Sequence, residues 1–311
     1  MFNHFDFLKK LISVSPRFAE NELKAAEIIK SELSENNISF QIQPFQTAVP
    51  QTTKAELIID GQNIPCMGSS LVSGDIPDGK YLVSHFGYSG DHTPYNIAYS
   101  PVTDDISVVD HLEIPSITIS RKDIVKVVMG KDIHGRVEVE KKEFSTENIL
   151  VGNLKNPKNI VFSHFDSIVK DGAVDNGAGV SVLMKLALQK NIINDSLLIF
   201  SGNEEISYDD YSHKSGYGFR VFEKDYKNIL LSTHKIFVID GIGLTKANFS
   251  QAGLDWVLQL RCLDDVRSKV YWLQNDQSEI LKYFHTIHDS IENLSEAHIE
   301  SAYQLLYNQL V

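Results

Sequence analysis

The sequence is poor in cysteine, in net positive charge and in long apolar runs. Its 311 residues include two cysteines, Cys66 and Cys262, and no Cys-x-x-Cys pair, so it carries neither a disulfide framework nor a thiolate zinc site. The net charge of -12 argues against non-specific binding to nucleic acid or to an anionic membrane. No run reaches the roughly 18 apolar residues of a membrane span, and we find no signal-peptide pattern. We therefore expect a cytoplasmic protein with no nucleic-acid or membrane partner.

Three stretches with different residue patterns divide the chain. Residues 1–45 show helical spacing of apolar residues, followed by an alternating, strand-like run. Residues 46–145 contain short β-like runs separated by Gly, Pro, Ser and Asp. From residue 146 to residue 311, apolar strand-like runs alternate with helical patterns. This order predicts an α/β fold with a mostly parallel central sheet flanked by helices, formed by residues 1–45 and 146–311, and a smaller β-rich inserted domain at 46–145.

Three apolar runs in the last stretch each lead to side chains of metal-ligand type. "NIVF" precedes His164 and Asp166, "LLIF" precedes Glu204 and Glu205, and "IFVI" precedes Asp240. Sites in open α/β sheets form outside the carboxyl ends of the parallel strands, so these side chains are expected to converge. A single such residue is more often a helix cap, a loop hydrogen-bonder or part of a solvated surface. The repetition over three strands favours a metal site of imidazole and carboxylate ligands, a set suited to zinc, manganese or cobalt.

The motifs as a set resemble the M28 family of co-catalytic dizinc aminopeptidases. The similar segments are "SHFDS", "VDNGAGV", "NEE", "VIDGIG" and "FHTIHDSIEN", in the order and spacing of that family. The resemblance covers the helical N-terminus and residues 146–311. Many M28 members carry a protease-associated (PA) domain where this chain has its insertion at 46–145, so the resemblance also implies a PA-like insertion.

The resemblance implies a role for each candidate metal ligand. Asp175 would bridge two metal ions, most simply zinc, with cobalt or manganese as alternatives. His164 and Asp240 would complete one metal site, and Glu205 and His285 would complete the other. Packing so many carboxylates together is costly unless cations neutralise them, which agrees with two bound ions.

The same resemblance implies a reaction and a substrate. Glu204 would be the general base of a water molecule that bridges the two metals, and Asp166 would orient His164 by accepting its other N–H. The implied activity is that of a metal-dependent aminopeptidase, which hydrolyses the N-terminal bond of peptides with a free N-terminus. The sequence leaves the oligomeric state open, a homo-oligomer included.

Other interpretations of the same residues stay open at this point. The chain could be a metal-free binding or scaffold protein on this fold, or an amide hydrolase or single-zinc cyclotransferase. The M20 and M42 peptidases are also related, but they place their extra domain after the first His motif. Among further polar residues, His85, which lies in the insertion together with His92, is interpreted as structural. His288 is interpreted as a surface residue or as one that supports the ligands, and Asp209 and Asp210 as part of a solvated loop.

Overall fold

The computed structural model describes residues 2–76, 96–108 and 111–311, and the backbone of residues 83–85. The chain divides into two compact units. Unit 1 comprises Met1–Thr47, Phe144–Ile280 and Asp289–Val311, and unit 2 comprises Ala48–Glu143 and Leu281–His288. The domain boundaries predicted from the sequence stay a prediction, since compactness alone does not define a functional domain.

Helices and strands alternate along the described residues. The α-helices are α1 (His4–Ile12), α2 (Glu20–Glu35), α3 (Ile124–Met129), α4 (Ala178–Ala187), α5 (Lys190–Asp195), α6 (Tyr217–Ser232), α7 (Leu254–Val257), α8 (Leu263–Val266), α9 (Gln277–Ile280) and α10 (Glu296–Leu310). The strands are β1 (Phe40–Ile59), β2 (Gln62–Asn63), β3 (Cys66–Gly68), β4 (Gly74–Ile76), β5 (Val83–His85), β6 (Ile97–Tyr99), β7 (Ile117–Ile119), β8 (Ile133–Gly152), β9 (Asn159–His164), β10 (Ser196–Ser201), β11 (Lys235–Ile239), β12 (Asn248–Ser250) and β13 (Val270–Gln274).

Unit 1 is built on a mixed sheet with a parallel centre. Its strand order is β12-β13-β11-β9-β10-β8-β1. Strands β13, β11, β9 and β10 run parallel, whereas β12 and β8 pair with this group in antiparallel fashion. The predicted α/β class, a large central sheet flanked by helices, is confirmed, with the parallel pairing confined to the four central strands.

Both faces of the central sheet are buried, because successive side chains of a strand point to opposite faces and all of them are covered. All six residues of β9 are buried, as are all six of β10. Ile160 and Phe162 belong to one apolar cluster, in which Phe162 makes edge contacts with Phe219 and Phe222 of α6. Helix α4, whose residues are almost all buried, also contacts β9. Strands that are buried on both faces have nearly continuous apolar sequences, and these runs made the strands recognisable in the sequence.

Unit 2 contains a separate small core. A four-stranded sheet has the order β3-β7-β6-β5, and β2 and β4 pair with the unit 2 portions of β1 and β8. Its apolar cluster includes Leu57, Ile97, Ile117 and Val137. The β-rich character expected of the insertion is therefore present in the described part of this unit. Its assignment as a PA-like domain is not confirmed.

Two local features of the chain's last quarter concern a turn and a helix cap. The segment around His285 is a series of turns, and His285 itself has a φ of 50° in the left-handed region. Ser295 occupies the N-cap position of α10, but its side chain makes no capping hydrogen bond. No helix within the described residues has the length and apolar character needed to span a bilayer.

Candidate metal centre

Strand register brings three ligand candidates to one edge of the unit 1 sheet. His164 is the last residue of β9 and lies opposite Ser201, the last residue of β10. Phe162 lies opposite Val238 of β11, so Asp240 falls level with His164 two residues later. Glu204 and Glu205 follow Ser201 within four residues. The predicted convergence at the carboxyl ends of parallel strands therefore occurs for these side chains.

Asp175 reaches the same edge from the loop between β9 and α4. Its backbone, with φ -120° and ψ 89°, departs from the helical geometry around it. The buried carboxylate of Asp289 accepts hydrogen bonds from the backbone N–H groups of Val174 (2.6 Å) and Asp175 (3.1 Å). Asp289 thus fixes the main chain that carries Asp175. The sequence reasoning missed this role, although Asp289 lies within the motif "FHTIHDSIEN".

Asn176 ties the Asp175 loop to two strands. Its side-chain amide donates to the backbone carbonyl of Ile239 (2.7 Å) and lies 3.2 Å from the hydroxyl of Ser163. A Cβ atom at Gly179 would collide with the Asn176 side-chain oxygen and come within 2.8 Å of the Ser163 hydroxyl oxygen. Close approach of α4 to this amide therefore requires glycine at position 179, which explains one of the small residues after Asp175.

Asp166 supports the two adjacent glutamates. One oxygen of its carboxylate accepts the backbone N–H groups of both Glu204 and Glu205, each at 2.9 Å. Its other oxygen lies 3.4 Å from Nδ1 of His164, which is long for a hydrogen bond. Asn203, with a φ of 47°, starts this turn in a conformation that Asn tolerates better than most residues. Asp166 therefore holds the Glu204–Glu205 main chain and lies beside the imidazole.

The side chains form a buried cluster around Nε2 of His164. Ligand-type atoms of His164, Asp175 and Glu205 all lie within 4.8 Å of one another, and all three residues are buried. Carboxylate oxygens lie 3.1 Å (Asp175), 3.8 Å (Asp240) and 4.0 Å (Glu204) from this nitrogen. All six predicted site residues in unit 1, Asp166 included, thus lie close together.

Burial and charge shift the acid–base behaviour of this cluster. Burial raises the pKa of Glu204 well above its ordinary value, and although His164 opposes this effect, the carboxylates of Glu205, Asp166 and Asp240 add to it. Burial alone would lower the pKa of His164, but the surrounding carboxylates, Glu204 foremost, raise it well above its ordinary value. Both shifts reflect an excess of carboxylates in a buried site, and a bound cation would relieve the repulsion among them.

Two buried ionisable residues behind the cluster had no signal in the sequence. The guanidinium of Arg17 is fully buried and donates to the backbone carbonyls of Phe165 (2.5 Å), Asp171 and Gly172 (3.0 Å). Glu22 is also fully buried and accepts a hydrogen bond from the hydroxyl of Thr146. Burial raises the pKa of Glu22 well above its ordinary value, and the nearby charge of Asp166 adds to this. Arg17 therefore braces the backbone on both sides of Asp166, and its charge also acts on the carboxylates of Asp166, Glu205 and Asp175.

The residues in this cluster fit divalent metal ions. An imidazole nitrogen and several carboxylate oxygens are the ligand types of catalytic zinc sites, and manganese or cobalt also accepts them. The convergence of His164, Asp175 and Glu205 within 4.8 Å is compact enough for their ligand atoms to share an ion. The arrangement therefore supports a metal centre, while the number of ions stays a prediction.

The remaining candidates belong to unit 2 or to a loop of unit 1. His285 belongs to unit 2, where its Nδ1 atom lies 2.5 Å from the backbone carbonyl of Val108. The solvated-loop interpretation is wrong for Asp209, because its carboxylate forms a buried ion pair with Arg220 at 2.6 Å. Asp210 is exposed, as expected, and pairs with an arginine at the surface. The side chain of His85 and all of His92 lie outside the described residues.

Comparison with known families identifies the segment that carries most of these residues. Residues 149–215 match the family model described as Peptidase family M28. The M28 resemblance is confirmed. The M28 segment includes His164, Asp175 and both glutamates, whereas Asp240 and His285 lie beyond it. No curated protein sequence matches the chain.

Solved structures share the fold over nearly the whole chain. BSAP, a zinc aminopeptidase from Bacillus subtilis, is 17% identical with a TM-score of 0.69, over 98% of this chain and 92% of that one. The Peptidase M28 precursor from Shewanella amazonensis is 14% identical with a TM-score of 0.68, and the match covers 99% of this chain and 92% of that one. The glutaminyl cyclase from Tannerella forsythia is 14% identical with a TM-score of 0.55, and the match covers 99% of this chain and 97% of that one. At these identities, the likeness shows a common fold.

Proposed function

We propose that the protein is a metal-dependent aminopeptidase that hydrolyses the N-terminal bond of peptides with a free N-terminus. The observation that carries this proposal is the buried cluster of His164, Asp175 and Glu205 at the carboxyl ends of the central strands. The M28 match over residues 149–215 and the fold shared with a zinc aminopeptidase support the same conclusion.

The proposed metal ligands are those that the sequence indicated. Asp175 would bridge two divalent ions, with zinc as the first choice and cobalt or manganese as alternatives. His164 and Asp240 would hold one ion, and Glu205 would hold the other together with His285. When bound, such a pair of ions activates water and polarises the scissile carbonyl.

The acid–base work is assigned to Glu204. Its carboxylate lies 4.0 Å from Nε2 of His164, while the adjacent Glu205 contributes a ligand-type atom to the three-residue group. Glu204 would take a proton from the attacking water and pass it to the leaving amine. Asp166 would keep both glutamates in place through their backbone N–H groups. Two adjacent residues of the same type would therefore have different tasks.

Replacing each of the two glutamates by glutamine tests these assignments with a matched pair of variants. Loss of a general base costs about 10²–10⁴-fold in rate, so Glu204→Gln should retain its metal and lose most of its activity. Glu205→Gln should bind metal more weakly as well as lose activity. The measurements are metal content by elemental analysis and hydrolysis of aminoacyl chromogenic substrates. Wild-type activity in Glu204→Gln would remove this residue from the mechanism.

A second candidate is favoured by the structural likeness to a glutaminyl cyclase. That enzyme shares the fold with a TM-score of 0.55, and the compact group of His164, Asp175 and Glu205 offers the ligands for a single ion. The two candidates differ in their products. A peptide that begins with glutamine would lose that residue by hydrolysis in an aminopeptidase, but would keep it as a closed ring in a cyclase. Mass spectrometry of the product and the metal content per chain together separate the two activities.

A further inference from the structure

Unit 2 contains a set of contacts between the insertion and the turn segment that carries His285. The turn segment is Leu281–His288, and it clusters with Ala48–Glu143. The insertion side consists of residues 105–108, which we call the platform. The platform and the turn segment therefore both belong to unit 2.

Val108 contacts His285 through both of its backbone polar groups. Its carbonyl oxygen lies 2.5 Å from Nδ1 of the imidazole, and its N–H donates to the His285 carbonyl at 3.3 Å. Because a carbonyl only accepts, the imidazole nitrogen beside it must carry the proton. In the neutral ring the lone pair then belongs to Nε2, which is the form that a metal-binding histidine requires. One residue of the insertion therefore selects both the ring orientation and the tautomer of His285.

Two further contacts hold the turn segment on either side of His285. The hydroxyl of Ser107, which is fully buried, donates to the carbonyl of Phe284 at 2.7 Å. The carboxylate of Asp105 lies 3.4 Å from Nε2 of His288, in a pair that is more exposed. The buried Ser107 bond should be the stronger constraint, because solvent weakens exposed ion pairs.

The backbone of His285 shows that this constraint is needed. Its φ of 50° lies in the left-handed region, which non-glycine residues adopt only when their surroundings enforce it. The rings of Phe284 and His285 also stack, with centroids 3.8 Å apart. Neighbouring contacts thus hold a conformation that an isolated turn would rarely adopt.

The residues directly before the platform are anchored to the rest of the insertion. The hydroxyl of Ser120 donates to the carbonyl of Asp104 at 2.6 Å, and the guanidinium of Arg121 donates to the carbonyl of Pro101 at 2.9 Å. Both donors directly follow strand β7, whose residues are buried in the core of unit 2. The position of residues 105–108 is therefore coupled to the fold of the insertion.

We propose that the insertion orients His285 for metal binding, with Ser107 and Val108 as the positioning residues. This proposal rests on the proposed function, because it takes His285 as a ligand. It gives the insertion a role in fixing the orientation and the tautomer of that ligand. Loss of the platform contacts should weaken metal binding without changing the ligands themselves.

Three serine variants of the full chain test the proposal. Ser107→Ala removes the buried donor to Phe284, whereas Ser107→Thr restores a hydroxyl at the same position. Ser73→Ala is the matched control, because this exposed serine of the insertion also bonds to a backbone carbonyl, that of Val139, away from the turn segment. Zinc affinity is measured by competition with a chromophoric chelator, and thermal unfolding of the metal-free proteins reports their folding.

The expected effect is selective for Ser107. Zinc affinity should fall about 10-fold or more in Ser107→Ala, as for other residues that orient a metal ligand, while Ser107→Thr should recover most of it and Ser73→Ala should resemble wild type. Unchanged affinity in Ser107→Ala, or an equal loss in Ser73→Ala, would overturn the proposal.

A measurement on the metal-free wild type separates this proposal from the proposed function. Imidazole ¹⁵N NMR, with His285→Gln used to assign the signals, should show the His285 ring protonated at Nδ1 and unprotonated at Nε2. The opposite tautomer would overturn the positioning role even if zinc binds. A wild type that binds no zinc would instead refute the proposed function, and the NMR result would still decide whether Val108 fixes the ring. The spectrum of the wild type also tests the positioning of the His285 ring if Ser107→Ala does not fold.

Discussion

Removal of the Asp289 carboxylate tests whether a residue that is not itself a proposed ligand positions the proposed ligand Asp175. It accepts the backbone N–H groups of Val174 and Asp175 at 2.6 and 3.1 Å in a fully buried setting. In Asp289→Ala both N–H groups lose their partner, and each unpaired buried donor costs about 1–3 kcal/mol. Burial raises the pKa of Asp289 to about 7, so the charged carboxylate is itself poorly solvated and its removal offsets part of this cost. We expect a net loss of about 2–4 kcal/mol in the free energy of unfolding.

The effect on metal binding follows from the same contacts. Without its anchored amide, Asp175 is held less firmly, and residues that support a ligand in this way are typically worth about 10–100-fold in metal affinity. Asp289→Asn keeps one acceptor oxygen. Its free energy of unfolding and its zinc affinity should therefore lie between those of wild type and Asp289→Ala.

Urea unfolding with and without zinc measures both effects in a single assay. Asp195→Asn is the matched control, because this carboxylate forms an exposed pair with Lys158 and such pairs contribute about 0–1 kcal/mol. Its stability and zinc affinity should stay near those of wild type. If Asp289→Ala had the stability and zinc affinity of Asp195→Asn, the positioning role of Asp289 would be refuted.

Three further predictions concern pH, packing and metal removal. Burial, reinforced by Lys185, lowers the pKa of His4 to about 4, so the unfolded chain binds a proton there between pH 6.5 and 4 while the folded chain does not. The free energy of unfolding should therefore decrease by about 3 kcal/mol as the pH falls through this range. Urea midpoints measured across the range should decrease less in His4→Phe than in wild type. Gly179→Ala should destabilise the protein by about 1–3 kcal/mol in the same unfolding assay, because the added methyl group collides with Asn176. Chelation should lower the melting temperature reversibly, by an amount that grows with the logarithm of the zinc concentration before removal; a melting temperature independent of zinc would contradict a metal centre.

Much of the unit 1 fold could be predicted because its central strands are buried on both faces. "IVF", "LLIF" and "IFVI" are continuous apolar runs, which are typical of strands inside a parallel sheet covered by helices. The rule that parallel strands end at a common edge then placed His164 beside Asp240 without knowledge of the register. The antiparallel strands flanking this centre have more exposed positions and carry a weaker pattern.

The supporting residues could not be predicted, because their roles depend on contacts between distant segments. Arg17 bonds to carbonyls about 150 residues later in the chain, and Glu22 contacts Thr146 across a similar separation. Nothing near either residue in the sequence indicates burial. The turn conformation of His285 also depends on Val108, which lies in a different stretch of the chain. Local pattern therefore located the candidate ligands, while the contacts that position them required the three-dimensional structure.

Hydrolysis of one peptide in two forms tests the central claim most directly. Zinc-loaded wild type is incubated with a peptide that has a free N-terminus and with the same peptide acetylated at its N-terminus, and the products are identified by mass spectrometry. An aminopeptidase should release the N-terminal residue from the free peptide, leave the acetylated peptide intact, and lose this activity when the metal is chelated. Equal cleavage of both peptides, or release that persists without metal, would contradict the assignment.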